Sequence, residues 1–256
     1  MPQAEILLFA SLTLNALMIA GIFVSYRKRK LRAGNHWPIA RVAPESIDSM
    51  FSTGELGPSR ATEIRFIAAH HVWGGISDFE TWIICNLART ATRIFEFGTC
   101  TGKTTWLLAA NAPAASVTSL TLRPEDIQTM QNAGQDERFA IDTAVSESQF
   151  KTFYYQGTPE EARIVQMFGD SKTFDETPFV GLCDLVFVDG SHAHSYVESD
   201  SKKALRMVKP GGVVLWHDYR GPQSARGVFE VLNALAKQVP LVRIDGTRFV
   251  FHSKAR

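Results

Sequence analysis

The first 26 residues and the rest of the chain obey different rules of polarity. From Ile6 to Tyr26 no charged residue interrupts the run. A helix of that length, rising roughly 1.5 Å per residue, matches the roughly 30 Å hydrocarbon core of a bilayer. Residues 33–60 show no sustained apolar period and scatter Gly34, Pro38, Pro44, Gly54, Gly57 and Pro58 among serines, which predicts a linker. Beyond them, short β-rich runs recur at Arg93–Phe97, Ser116–Leu122, Ala162–Phe168, Asp184–Val188 and Val213–His217, separated by stretches of helical period. Such alternation predicts an α/β fold with a parallel sheet and right-handed crossovers. A Ser77-x-x-Glu80 capping box opens one helix, with Phe79, Trp82, Ile83 and Leu87 on its apolar stripe. Another carries Val197, Ala204, Leu205 and Val208 and stops at Lys209-Pro210-Gly211-Gly212. Leu241–Ile244 and Arg248–Phe251 flank Asp245-Gly246, the pattern of a C-terminal antiparallel hairpin.

Charge refines this picture at the N-terminus. Arg27, Lys28, Arg29, Lys30 and Arg32 follow the apolar run, and only Glu5 precedes it. The positive-inside rule then predicts a single-pass cell-membrane helix with its N-terminus outside and the remainder cytoplasmic. Three segments are expected: an anchor with its basic flank over 1–32, a linker over 33–60 and a folded domain over 61–256. A chain of 256 residues with 45% hydrophobic and 21% charged positions supports one α/β core. Its formal net charge of +1 provides no field for nucleic acid. Cys85, Cys100 and Cys183 are scattered and odd in number, which argues against a disulfide framework or a zinc site.

The candidate chemistry begins at Glu96-Phe97-Gly98-Thr99-Cys100-Thr101-Gly102-Lys103-Thr104, a strand, a turn with two glycines and a helix. A phosphate loop requires four residues between its glycines, and here there are three. A dinucleotide fingerprint would need glycine at Cys100. Two explanations stay open: glycines chosen for tight packing alone, or a turn that wraps a ligand. Gly169-Asp170-Ser171, Asp189-Gly190-Ser191-His192 and Trp216-His217-Asp218-Tyr219 then follow the third, fourth and fifth runs. In this order, over roughly 61–254, the motifs resemble those of class I S-adenosylmethionine-dependent methyltransferases, in the family that includes bacterial sugar and antibiotic O-methyltransferases.

The resemblance implies a Rossmann-like seven-stranded, mostly parallel sheet of order 3-2-1-4-5-7-6, with helices on both faces. S-adenosylmethionine would bind at the topological switch point, its methionine part held by Glu96, Gly98, Thr99 and Gly102, its adenine near Asp170 and Ser171. Thr121 stands where the family usually places an acidic residue that grips the ribose hydroxyls; losing a charged acceptor costs about 1.5 to 3 kcal/mol. Asp189 and Asp218 close neighbouring strands, about 4.8 Å apart, within reach of one divalent ion such as magnesium. His192 resembles the base that takes the acceptor's proton, with Asp189 beside it as the second catalytic residue. The family's acidic pair after strand five has His217 as its first member here. Each of these also has a bland explanation, Asp189 and Asp218 as turn residues and His192 as a loop histidine, while Asp200 and Glu198 read as a solvated helix face. The expected function is O-methylation of a hydroxyl on a saccharide or another small or lipid-linked acceptor. A catalytically inactive, membrane-anchored binding protein is the alternative, and a nucleotide hydrolase a weaker one.

Overall fold

A computed structural model describes residues 13–27, 37–68 and 72–256. The chain divides into two compact units, Met1–Trp37 and Pro38–Arg256. In the first, residues 13–27 form helix α1, and Leu17, Ile19 and Ile22 on it are largely exposed. Among the described residues no helix is long and apolar enough to cross a membrane. This corrects the expected anchor, and with it the single-pass cell-membrane localisation and the membrane as a partner. At roughly 1.5 Å per residue the described residues of α1 cover roughly 22 Å, against a roughly 30 Å hydrocarbon core. Residues 6–12 of the expected span, and most of its basic flank, lie outside the described residues.

The second unit opens with β1 (Ala40–Val42) and a small ribbon, β2 (Thr53–Gly54) with β3 (Gly57–Pro58). There follow α2 (Asp78–Ala88), β4 (Arg93–Phe97), α3 (Lys103–Asn111), β5 (Ser116–Thr121), α4 (Arg138–Glu147) and β6 (Ile164–Phe168). The chain continues through β7 (Cys183–Val188), α5 (His194–Met207), β8 (Val208–Trp216), α6 (Arg226–Leu235), β9 (Val242–Ile244) and β10 (Val250–Ser253). The main sheet runs β6-β5-β4-β7-β8-β10-β9-β1, parallel throughout except where β10 pairs antiparallel with β8 and β9. It therefore has eight strands where seven were expected. The additional one, β1, joins the edge parallel to β9 with Ala40 opposite Val242. It has three residues, two of them exposed, too few for an alternating pattern to register.

β4 lies centrally with apolar residues packed on both of its faces. Ile94 joins Ile83, Ile84, Leu107 and Leu108 of α2 and α3 in the main core, while Phe95 meets Phe97 and Phe179 in an aromatic cluster. Burying each such side chain stabilises the fold by about 1.5 to 3 kcal/mol. The α2 capping box is formed, with Ser77 Oγ accepting from the Glu80 amide at 3.2 Å and Glu80 Oε2 accepting from the Ser77 amide at 2.8 Å. The second Glu80 oxygen accepts from the Arg248 amide at 2.7 Å. One side chain thus ends a helix and ties it to the C-terminal strands, where the site is built.

Candidate active site

The ends of β4, β7 and β8 are laced together by main-chain hydrogen bonds, Asp189 N to Phe97 O at 2.9 Å and His217 N to Val188 O at 3.1 Å. The turn after β4 must pass close to this seam. Gly98 has φ +97°, and a Cβ there would lie 2.2 Å from the Asp189 carbonyl oxygen. Glycine is therefore demanded by the chain's own packing, whatever else the turn holds. Two clefts open over the seam. The first lies among Thr121, Asp170, Ser171 and Tyr196. The second lies among Trp73, His217, Asp218, Arg220 and Arg248. Gly98, Cys100, Glu147 and Asp189 line both.

The residues expected to hold a cofactor divide accordingly. Gly98, Thr121, Asp170 and Ser171 line the first cleft, and Thr99 lines the second. Gly102 and Glu96 line neither. Gly102 caps α3 at φ +75°, against Phe153 and Tyr155. Glu96 is wholly buried beneath the turn. Its Oε2 accepts from Ser119 Oγ at 2.6 Å and from Thr105 Oγ1, and Ser119 Oγ in turn shares a 2.7 Å hydrogen bond with Thr99 Oγ1. Glu96 Oε1 has no partner, and burial pushes the carboxyl up to about 8, so Glu96 supports the turn as a neutral acid.

Two acidic residues join the clefts without having been singled out. Asp200, read from the sequence as solvated, is 2% exposed and lines the first cleft. Its Oδ1 is buried and unpartnered, and burial pushes the acid up to about 7. Glu147, at the end of α4, lines both clefts and is pushed up to about 7, again by burial. The first cleft thus has an acidic far end, with Asp170 accepting from Tyr196 Oη at 3.0 Å and from the Lys172 amide at 2.9 Å. An orphaned buried acceptor beside an apolar wall of Leu120, Leu122 and Met130 suits a flat heterocycle bearing an amine.

In the second cleft, carboxylates and cations alternate. His217, 6% exposed, places Nδ1 2.9 Å from Asp189 Oδ1 and 3.4 Å from Asp218 Oδ1. Its Nε2 lies 3.5 Å from Glu80 Oε1, long for a hydrogen bond, so that attraction is one of charge. Burial alone would push the imidazole down; Asp189 and Asp218 outweigh it and raise the group to about 10. Asp218 takes a left-handed backbone, φ +60°. It receives His192 Nε2 on Oδ2 at 2.8 Å, and Arg220 at 2.6 Å and Arg248 at 3.3 Å on Oδ1. Burial is again opposed, here by His217, His192 and Arg220, which hold Asp218 well below the usual carboxylate range. His192 lines neither cleft.

Asp189, His217 and Asp218 offer donor atoms within 4.8 Å of one another, a spacing open to a metal ion. The chemistry of the donors does not suit one. His217 Nδ1, the nitrogen nearest both carboxylates, is already hydrogen-bonded to Asp189, and the two oxygens of Asp218 already face two guanidiniums and an imidazole. A resident divalent ion would have to expel charges that the fold supplies itself.

Residues 95–219 match a protein family described as "Methyltransferase domain". No curated protein matches the chain by sequence. Among solved structures, the chain is similar to the O-methyltransferase TomG from Streptomyces achromogenes, involved in tomaymycin synthesis and determined in complex with SAM. That likeness has 19% identity, covers 80% of this chain and 94% of TomG, and gives a TM-score of 0.50. Cofactor-bound Rv0187 from MTB shares 20% identity over 84% of this chain and 98% of its own, at a TM-score of 0.50. The O-methyltransferase NovP shares 14% over 70% and 81%, at 0.53. At these identities the structural likenesses establish the fold.

Proposed function

We propose that this chain, whose residues 95–219 match a methyltransferase-domain family, transfers a methyl group from S-adenosylmethionine to a hydroxyl of a small acceptor, a saccharide being the class to which the sequence resemblance points. The observation that carries the proposal is the meeting of two clefts at Gly98 and Asp189. S-adenosylmethionine, when bound, supplies a methyl carbon made electrophilic by its sulfonium sulfur. Gly98 and Thr121 would hold its ribose and amino-acid portions, and Asp170, Ser171 and Asp200 its base. The acceptor would lie in the second cleft.

Such a transfer would be an in-line displacement, so holding the acceptor hydroxyl in line with the sulfonium methyl would supply most of the acceleration. Asp189, on both clefts and fixed by His217, takes the proton that the hydroxyl loses. His192 lines neither cleft and acts as a positioning residue, holding Asp218 from behind. His217, Arg220 and Arg248 set positive charge beside the oxygen as its proton leaves, the part a metal would otherwise play. Thr121 supplies one hydroxyl where two charged acceptor atoms would grip a ribose, and this favours a second reading, a cofactor-binding protein without turnover.

Incubation of the full chain with methyl-labelled S-adenosylmethionine and hydroxylated acceptors tests both. Label is expected to move to an acceptor oxygen and to fall by about 100-fold in Asp189→Asn. Binding without transfer would support the second reading, and transfer indifferent to Asp189→Asn would overturn its assigned role.

A further inference from the structure

The second cleft gathers two guanidiniums onto one carboxylate. Among the residues lining the second cleft, Glu147, Asp189 and Asp218 are acidic and His217, Arg220 and Arg248 basic. The two guanidiniums arrive from different elements, Arg220 just after β8 and Arg248 just before β10, and converge on one oxygen of Asp218. Asp218 is 8% exposed, whereas Arg220 and Arg248 are 39% and 36% exposed, so the carboxylate sits at the floor and the guanidiniums rise from it into the cleft they line. Arg220 directs one Nη to Asp218 and makes no other side-chain hydrogen bond or ion pair among the described residues. A guanidinium has five N–H donors in a fixed fork, so most of this fork remains for a ligand. Trp73, 59% exposed, stands on the same cleft and offers a flat apolar face.

We infer that the second cleft selects acceptors bearing a carboxylate near the methylated hydroxyl, with Arg220 and Arg248 receiving the anion and Trp73 covering the adjacent ring. Forked N–H donors match a carboxylate's two oxygens, and such charge-assisted pairs are roughly twice as strong as neutral hydrogen bonds. The same charges keep the acceptor's hydroxyl close to Asp189. This inference rests on the methyl-transfer proposal for what happens to the hydroxyl, though the anion site stands on its own geometry.

The test is isothermal titration of the full chain, with and without S-adenosylhomocysteine, using matched probes: D-glucuronate against D-glucose, and 3,4-dihydroxybenzoate against catechol. In at least one pair the carboxylated probe is expected to bind about tenfold more tightly or better, and Arg220→Gln is expected to abolish the preference while leaving S-adenosylhomocysteine affinity unchanged. Arg220 is exposed enough for that variant to fold; Arg248→Gln provides the second measurement. Equal binding within both pairs, the absence of binding by all four probes included, or a preference that survives Arg220→Gln, overturns the inference. Heat from S-adenosylhomocysteine without a carboxylate preference sinks the anion site alone. A carboxylate preference without such heat sinks the methyl-transfer proposal and leaves the anion site standing.

Discussion

Replacing Glu96 with glutamine should make the protein more stable at neutral pH and leave it nearly unchanged in mild acid. The side chain is 0% exposed, and burial raises its carboxyl from 4.5 to about 8. The folded chain therefore keeps a proton that the unfolded chain releases above pH 4.5. An acid raised in this way destabilises the fold progressively as pH climbs from 4.5 to about 8, and no further above that. At 1.36 kcal/mol per pH unit, the loss is about 1 kcal/mol at pH 5 and about 3 kcal/mol at pH 7, upper figures for a compact denatured state. Glutamine cannot ionise, and its carbonyl oxygen can accept from Ser119 and Thr105 as Oε2 does. Its amide N–H₂ lies where Oε1 has no partner, a fault the protonated acid shares. Urea unfolding of wild type and Glu96→Gln at pH 5, 6, 7 and 8 should show the variant gaining about 3.5 kcal/mol between the ends of that range. Parallel curves would refute the neutral, buried carboxyl and with it the proposed support of the glycine turn.

His217→Gln should destabilise the fold by about 3 kcal/mol or more near pH 6, by leaving Asp189, Asp218 and Glu80 crowded without their shared cation. Because His217 is raised to about 10, its contribution is complete below pH 6.5 and fades as pH rises toward 10, so thermal melts of the two proteins should converge there; a constant gap would contradict the assignment. Thr121→Glu should tighten S-adenosylhomocysteine about tenfold by restoring a charged acceptor to the first cleft, and an unchanged titration would show that the ribose lies elsewhere. Dialysis against a chelator should leave methyl transfer intact, with added magnesium changing the rate by less than about twofold; a stimulation near tenfold would restore the metal that the donor set argues against.

The mostly parallel Rossmann-like sheet was legible because its strands are short β-rich runs alternating with helical stretches, several of them followed by glycine or acid. Gly98, Asp170 and Asp189 each follow such a run and line the clefts. The edge was less so: Ala40–Val42 buries too little to show alternation. The charge-free run near the N-terminus records residue type, while span length depends on how much of it is helical, and the described helix covers 13–27. Glu80 explained itself too early, since its capping role accounts for one oxygen while the other serves Arg248 and His217. Asp200 carried a signal that was passed over. It lies three residues after Val197 and four before Ala204, on the buried stripe of α5. Trp73, Glu147, Arg220 and Arg248 share no motif, and only the closing of four separate segments brings them to one cleft.

Calorimetric titration of the full chain with S-adenosylmethionine tests the central claim most directly. One equivalent should bind with a dissociation constant below about a millimolar. Absence of heat from the wild-type protein at millimolar concentrations would contradict the assignment of these clefts to methyl transfer.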